Sequence, residues 1–234
     1  MSIKFGGVQK FSLLDFPDKI SAIVFTKGCN FHCGYCHNPE LFELNSPEKW
    51  NKISIIEFLK TRVGKLDGVV VTGGEPTIYD DLVQFIKGIK NLNLLVKLDT
   101  NGTNPNMLDK LIKNNLIDYI AMDIKAPLEK YPFITNSKID TQLIQSSIDI
   151  LKKSSIPFEF RTTVVKSQLS YDDFEKIGKL IQTNNKYFNG YYLQKFIPSK
   201  TLDKALMSET SYSDEEFIEI SKLINKYIKQ IEIR

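Results

Sequence analysis

Three cysteines and two histidines are the chain's whole supply of thiol and imidazole ligands, and all five lie between Cys29 and His37. The stretch reads Gly28-Cys29-Asn30-Phe31-His32-Cys33-Gly34-Tyr35-Cys36-His37-Asn38-Pro39, so the thiols are spaced Cys-x3-Cys-x2-Cys. A loop this short can curl its thiolates around one small object. Thiolate ligation at such spacing favours a soft centre, either zinc or iron–sulfur.

The number of thiolates weighs between the two. A structural zinc site is closed by four protein ligands, and a ferredoxin-type cluster takes four cysteines. No fourth cysteine exists in this chain. A [4Fe–4S] cluster held by three thiolates leaves one iron open to a small molecule that binds through an amine and a carboxylate. That arrangement suits catalysis better than stapling. The zinc alternative needs His32 or His37 to complete a Cys3His site, yet each directly adjoins a cysteine, and adjacent residues rarely aim at one metal. Three unrelated buried thiols are the bland alternative, but chance seldom gathers every Cys and His into one loop.

Other residues with chemical potential fall at the ends of apolar runs. Gly73-Gly74-Glu75 follows Gly68–Thr72, and two glycines there permit either close approach to a ligand or a sharp turn. Asp99 and Thr100 follow Leu94–Leu98; Asp123 and Lys125 follow Tyr119–Met122. Asp123 and Lys125 are two apart and point the same way on an extended chain. Two strand-end aspartates with no histidine beside them could hold a hard cation, or could be solvated or paired charges. Arg161 sits among apolar neighbours and needs a partner, either an acid of the fold or a bound ligand.

The elements that must position these residues alternate. Apolar runs at Ser21–Thr26, Gly68–Thr72, Leu94–Leu98, Tyr119–Met122, Phe158–Val165 and Tyr191–Phe196 predict six buried parallel strands. A short leading strand is expected at Lys4–Phe11, then a turn over Ser12–Asp18, where Asp18 tolerates a left-handed conformation. Helices are expected from a capping box at Ser54–Glu57 to about Gly64, over Asp80–Lys90, from Asn104-Pro105 to about Asn114, over Asp140–Lys153, and from Ser170 to Gln182. A last helix is capped at Ser213 and carries Phe217, Ile220, Ile224, Tyr227, Ile228 and Ile231 on one face. Pro39–Trp50 and Pro127–Thr135 read as irregular. The alternation predicts a parallel α/β architecture, with the cysteine loop at the C-terminal end of the first buried strand, where ligands of such folds sit.

Composition is that of a globular protein, with 42% apolar and 25% charged residues, enough for a sizeable core. The net charge of +3 is too small to argue for a nucleic-acid partner. No apolar run is long enough for a membrane span, no secretory signal is expected, and clustered thiols suit a reducing compartment. A cytoplasmic protein is the expectation, as one domain over residues 1–234.

The motif Cys-x3-Cys-x-aromatic-Cys after an apolar strand resembles the signature of the radical S-adenosylmethionine (SAM) enzymes. The longer stretch from Gly28 to Leu41 resembles the glycyl-radical-enzyme activating enzymes, most closely the anaerobic ribonucleoside-triphosphate reductase activating proteins. Gly-Gly-Glu at 73–75, Asp-Thr-Asn-Gly at 99–102 and Asp-x-Lys at 123–125 extend the resemblance over essentially the whole chain. One departure is Asp18, where those enzymes usually show the glycine of Asp-x-Pro-Gly.

The resemblance implies a partial (β/α)6 TIM-like barrel. It implies that Cys29, Cys33 and Cys36 hold a [4Fe–4S] cluster whose open iron binds SAM, and that Tyr35 and Asn38 belong to the cofactor site with that motif. Gly73, Gly74 and Glu75 would meet the amino group of SAM's methionine part. Asp99, Lys125 and Arg161 would line the SAM pocket, Phe196 would lie against the adenine with Gln194 beside it, and Asp99, Thr100 and Asp123 would hold a monovalent cation. The implied partners are a glycyl-radical enzyme and a flavodoxin or ferredoxin reductant. The implied reaction is reductive cleavage of SAM, then hydrogen abstraction from a glycine of the partner. Two other readings stand beside it: a different target, whether another glycyl-radical enzyme or a modified-base precursor, and a non-catalytic zinc- or cluster-binding module.

Overall fold

The computed structural model describes residues 1–234, and these gather into two compact units. The first comprises 1–30, 40–100 and 106–120; the second comprises 31–39, 101–105 and 121–234.

In the first unit, β1 (Phe5–Ser12) pairs antiparallel with β2 (Ser21–Thr26). Between them Asp18 adopts φ 57°, the left-handed conformation that its short polar side chain tolerates. Helix α1 (Lys52–Lys60) leads to β3 (Gly68–Gly73), which lies parallel to β2 with Ser21 against Gly68 and Thr26 against Gly73. Helix α2 (Leu82–Lys90) leads to β4 (Leu95–Thr100), parallel to β3. Helix α3 (Pro105–Lys113) then precedes β5 (Tyr119–Asp123), whose first two residues belong to this unit. Beside β4, Asp118 fixes the register: its amide donates to Val96 O and its carboxylate accepts from Val96 N. Phe16, Ile23, Val70 and Tyr119 form a core cluster.

In the second unit, α4 (Tyr131–Thr135), α5 (Thr141–Lys152), β6 (Phe158–Val164), α6 (Tyr171–Ile181), β7 (Phe188–Lys195), α7 (Asp214–Ile224) and β8 (Ile231–Ile233) follow in order. Strand β7 lies between β6 and β8, parallel to both. The rings of Phe158, Phe160 and Phe188 pack together within 6 Å, at centroid separations of 5.4–5.8 Å. No helix is long and apolar enough to cross a membrane.

Several local expectations need correction. Helix α1 is capped by Asn51, with Ser54 returning the bond from the N3 position, and it ends at Lys60. Residues 127–135 are not irregular: a 3-10 turn at Leu128–Lys130 runs into α4, closed by Asn136 in a left-handed conformation. The last helix stops at Ile224, and Ile231 belongs to a strand. Apolar residues at 224, 228 and 231 fit helical spacing, yet Ile231 and Ile233 also alternate as a strand requires. The expected leading strand is β1, and with β8, an unexpected one, the chain has eight strands.

Candidate functional site

In the first unit the site is built where β2 and β3 end side by side. Cys29 follows Gly28, which has φ +73° and donates its amide to Leu41 O at 2.7 Å. The buried Tyr79 hydroxyl donates to Lys27 O at 2.6 Å. The Gly74 amide donates to Thr26 O at 2.9 Å and the Glu75 amide to Gly28 O at 2.8 Å. The two glycines are dictated by this closeness. A Cβ on Gly73 would meet the Thr26 backbone at 2.4 Å, and one on Gly74 would lie 1.8 Å from Gly28 O. The Gly-Gly pair thus clamps the backbone from which Cys29 departs.

Glu75 is 1% exposed, and its carboxylate accepts from Thr77 N at 3.0 Å, Thr77 Oγ1 at 2.5 Å and Thr100 Oγ1 at 2.7 Å. It ties the turn after β3 to the end of β4. The sequence placed Thr100 at a cation and Glu75 at a ligand; the structure bonds each to the other. Asp99 accepts from the buried Lys97 ammonium at 2.5 Å, and that ammonium also lies over the Tyr119 ring at 5.9 Å. Lys97 carries no signal in the sequence beyond an interrupted apolar run.

The second unit holds Cys33, Tyr35 and Cys36. The Cys36 amide donates to Cys33 O at 3.0 Å, forming a tight turn. The loop is tied on two sides, by His32 N to Thr135 O and by Asp203 N to Gly34 O, both at 2.8 Å. Cys33 and Tyr35 are buried, whereas Asn38 is exposed. Asp123 accepts from Lys125 Nζ through Oδ2 and from Arg161 Nε through Oδ1, each at 2.9 Å. Arg161 therefore has its partner in an acid of the fold. The Lys125 amide donates to the Tyr131 hydroxyl at 3.1 Å, and the Tyr131 ring meets Phe31 edge-on at 6.3 Å. Tyr131 and Thr135 support the loop from α4, an element too short to announce itself in the sequence.

Charge follows from this packing. Burial pushes the Cys33 thiol up, partly offset by the Lys125 ammonium. For Asp123 burial alone would raise the pKa; Arg161 and Lys125 outweigh it and hold the carboxyl at about 2. Burial would lower the Lys125 pKa, but Asp123, Tyr35 and Cys33 together hold it well above the usual ammonium range. Both aspartates suggested for a monovalent cation accept from lysine ammonium groups, Asp99 from Lys97 and Asp123 from Lys125.

Phe196 lies just past β7, 1% exposed, with the His37 ring stacked on it at 5.5 Å and 6°. His37 Nε2 lies 3.0 Å from Ile197 O, so this imidazole is engaged by the segment after β7. Gln194 is half-buried on β7. All three cysteines are free thiols, which suits a cluster taking three thiolates. No group of three or more His, Cys, Asp or Glu side chains converges as a single-ion site requires.

A sequence profile described as the Radical SAM superfamily matches residues 23–181. A protein of Methanocaldococcus jannaschii, provisionally named a glycyl-radical enzyme activating enzyme, is 34% identical over 236 residues, covering 97% of this chain and 94% of its own length. A Pyrococcus abyssi protein provisionally named a GTP 3′,8-cyclase is 30% identical over 145 residues, 62% of this chain and 47% of its own. Streptococcus suis SuiB bound to S-adenosylmethionine matches 88% of this chain with a TM-score of 0.67 at 11% identity. That likeness is one of fold, and the chain spans 48% of the SuiB chain.

Proposed function

We propose that this chain, which belongs to the radical SAM superfamily, generates a glycyl radical on a partner enzyme, and that the partner is an anaerobic ribonucleoside-triphosphate reductase. The fold is α/β, a partial TIM-like barrel of the radical SAM type. The chain is an enzyme of a superfamily that uses a [4Fe–4S] cluster and SAM. The observation that carries the reading is the set of three free thiols at Cys-x3-Cys-x2-Cys spacing, in a chain similar over nearly its full length to an activating enzyme by name.

In this reading Cys29, Cys33 and Cys36 are the cluster ligands. When bound, the cluster and SAM supply a one-electron cleavage of the sulfonium, which starts the radical chemistry; the electron comes from a flavodoxin or ferredoxin. The protein's part is placement and exclusion of solvent. Gly74 holds Gly28 and so fixes the point from which Cys29 departs. Lys125, kept charged by Asp123, offers a cation to a ligand carboxylate, and Arg161 holds Asp123 in place. The resemblance also assigns to the cofactor Gly73, Glu75 and Asp99 of the first unit and Tyr35, Asn38, Gln194 and Phe196 of the second. It assigns Asp99, Thr100 and Asp123 to a monovalent cation; Asp99 accepts from Lys97, and Asp123 from Lys125 and Arg161. No side-chain general base is required, in keeping with the lack of a histidine outside the loop.

The test is anaerobic reconstitution with iron and sulfide, addition of dithionite and SAM, and chromatography for 5′-deoxyadenosine. Addition of an anaerobic ribonucleotide reductase should then yield a glycyl-radical doublet by electron paramagnetic resonance (EPR). A second reading keeps the radical chemistry and changes the target to another glycyl-radical enzyme or a small molecule. The 30% identity to a protein named a GTP 3′,8-cyclase favours including GTP in the assay. Deoxyadenosine without a radical on the reductase would redirect the search to those targets.

A further inference from the structure

We propose that the Tyr35 hydroxyl donates a hydrogen bond to the Cys33 sulfur when that sulfur is a cluster ligand, raising the reduction potential of the cluster. The inference rests on the cluster assignment above and concerns a side chain whose polar atom makes no hydrogen bond of ordinary geometry.

Tyr35 is 5% exposed, and its buried hydroxyl makes no such bond, although it interacts with the Cys33 thiol. An orphaned buried hydroxyl is costly, and folded proteins keep few of them. The other buried tyrosines of this unit are satisfied: Tyr131 accepts from the Lys125 amide, and Tyr191, Tyr192 and Tyr212 donate to Thr162 Oγ1, Asn189 O and Leu169 O. Tyr35 is the exception, and it lies two residues from one cluster thiol and next to another.

Its surroundings limit what it can bond. The titratable groups around it are Cys33, Lys125 and Asp123. The Lys125 ammonium lies 5.9 Å from the ring centroid, and an ammonium has no lone pair to accept with. Both Asp123 oxygens are engaged by cations, Lys125 and Arg161, and neither accepts from the Tyr35 hydroxyl. Of these groups the Cys33 sulfur is the one with which the hydroxyl interacts as a donor. As a neutral thiol it accepts weakly; as a metal-bound thiolate it carries the charge that a phenol proton seeks. The two groups already interact in the folded chain, and the bond strengthens on loading. It should favour the more negative, reduced cluster, because hydrogen bonds to cluster sulfurs set the potential. Lys125, close to the same sulfur, acts in the same direction.

The experiment compares the wild type with Tyr35→Phe, both reconstituted anaerobically and without SAM. Iron and sulfide per chain are measured first, then the midpoint potential by EPR-monitored redox titration. The expected result is equal cluster content and a midpoint shifted to more negative potential in the variant. Protein carrying 3-fluorotyrosine at position 35 offers a stronger donor of nearly the same shape, and its midpoint should shift the opposite way. This second protein decides the matter should Tyr35→Phe fold poorly. Intact clusters with coincident midpoints in wild type and fluorotyrosine protein would overturn the hydrogen bond while leaving the cluster assignment standing. Failure of the wild type to take up iron would overturn the assignment itself, and the proposal with it.

Discussion

The carbonyl oxygen of Gly28 lies 1.8 Å from where Gly74 would carry a Cβ, so the second motif can only be a glycine while the first keeps its path. The Glu75 amide donates to that same oxygen at 2.8 Å. Gly74→Ala drives a methyl group into the Gly28 carbonyl, a clash that no rotamer change relieves. Overpacking of this kind costs about 1–3 kcal/mol. The expected outcome is a lower midpoint in urea and fewer irons per chain after reconstitution, because Cys29 follows directly. Unchanged iron content in the variant would show that the clamp does not govern the cluster loop.

Glu75 and Thr100 make a second, separable prediction. Thr100→Val keeps shape and removes one donor to a buried carboxylate, leaving both bonds from Thr77. Hydrogen bonds to charged groups contribute about 1.5–3 kcal/mol. Urea denaturation should show a loss in that range. A loss of this size in protein without metal would assign Thr100 a role in the fold, whereas an unchanged midpoint would return it to the candidate cation site.

The pairing of Arg161 with Asp123 supports a double-mutant cycle. Arg161→Met alone leaves Asp123 with Lys125 as its remaining cation. Breaking one arm of a buried charged network costs less than stranding the charge completely; about 1–3 kcal/mol is expected. Adding Asp123→Asn should recover part of that loss, with a coupling of about 1 kcal/mol between the two sites. Strict additivity would mean that the arginine acts on something other than this carboxylate.

Much of this was legible because the relevant signals are local. Ser21–Thr26 reads as a buried strand from its unbroken apolar run, and the strand has those bounds. The cysteine loop reads from spacing alone. What escaped depends on residues distant in sequence. Nothing near Arg161 names Asp123, which is 38 positions away, and nothing near Glu75 names Thr100. Ile231 reads as helix because it continues the spacing of Ile224 and Ile228, although it also alternates with Ile233 as a strand requires. Helix α4 is five residues long, shorter than the window in which helical periodicity shows.

Asp173 gives the pH dependence. It is 2% exposed, occupies N3 of α6, and accepts from Lys130 Nζ at 2.5 Å and from Ser170 N and Oγ at 2.8 Å. Burial by itself would raise its pKa; Lys130 and the Ser170 donors outweigh it and hold the carboxyl below its usual value. A carboxyl depressed in the folded state stabilises fully above the unfolded value of about 3.9 and loses that stabilisation as pH falls through the folded value. Asp173→Asn removes the charge but keeps the shape. The difference in Tm between wild type and variant should therefore be constant from pH 5 to pH 7 and shrink below about pH 4. Because Lys130 precedes α4 directly and Thr135 at its other end receives the His32 amide, the same substitution should speed hydrogen exchange at His32. A Tm difference that stays flat down to pH 2, or unchanged exchange at His32, would show that this ion pair holds neither α6 nor the support beneath the cysteine loop.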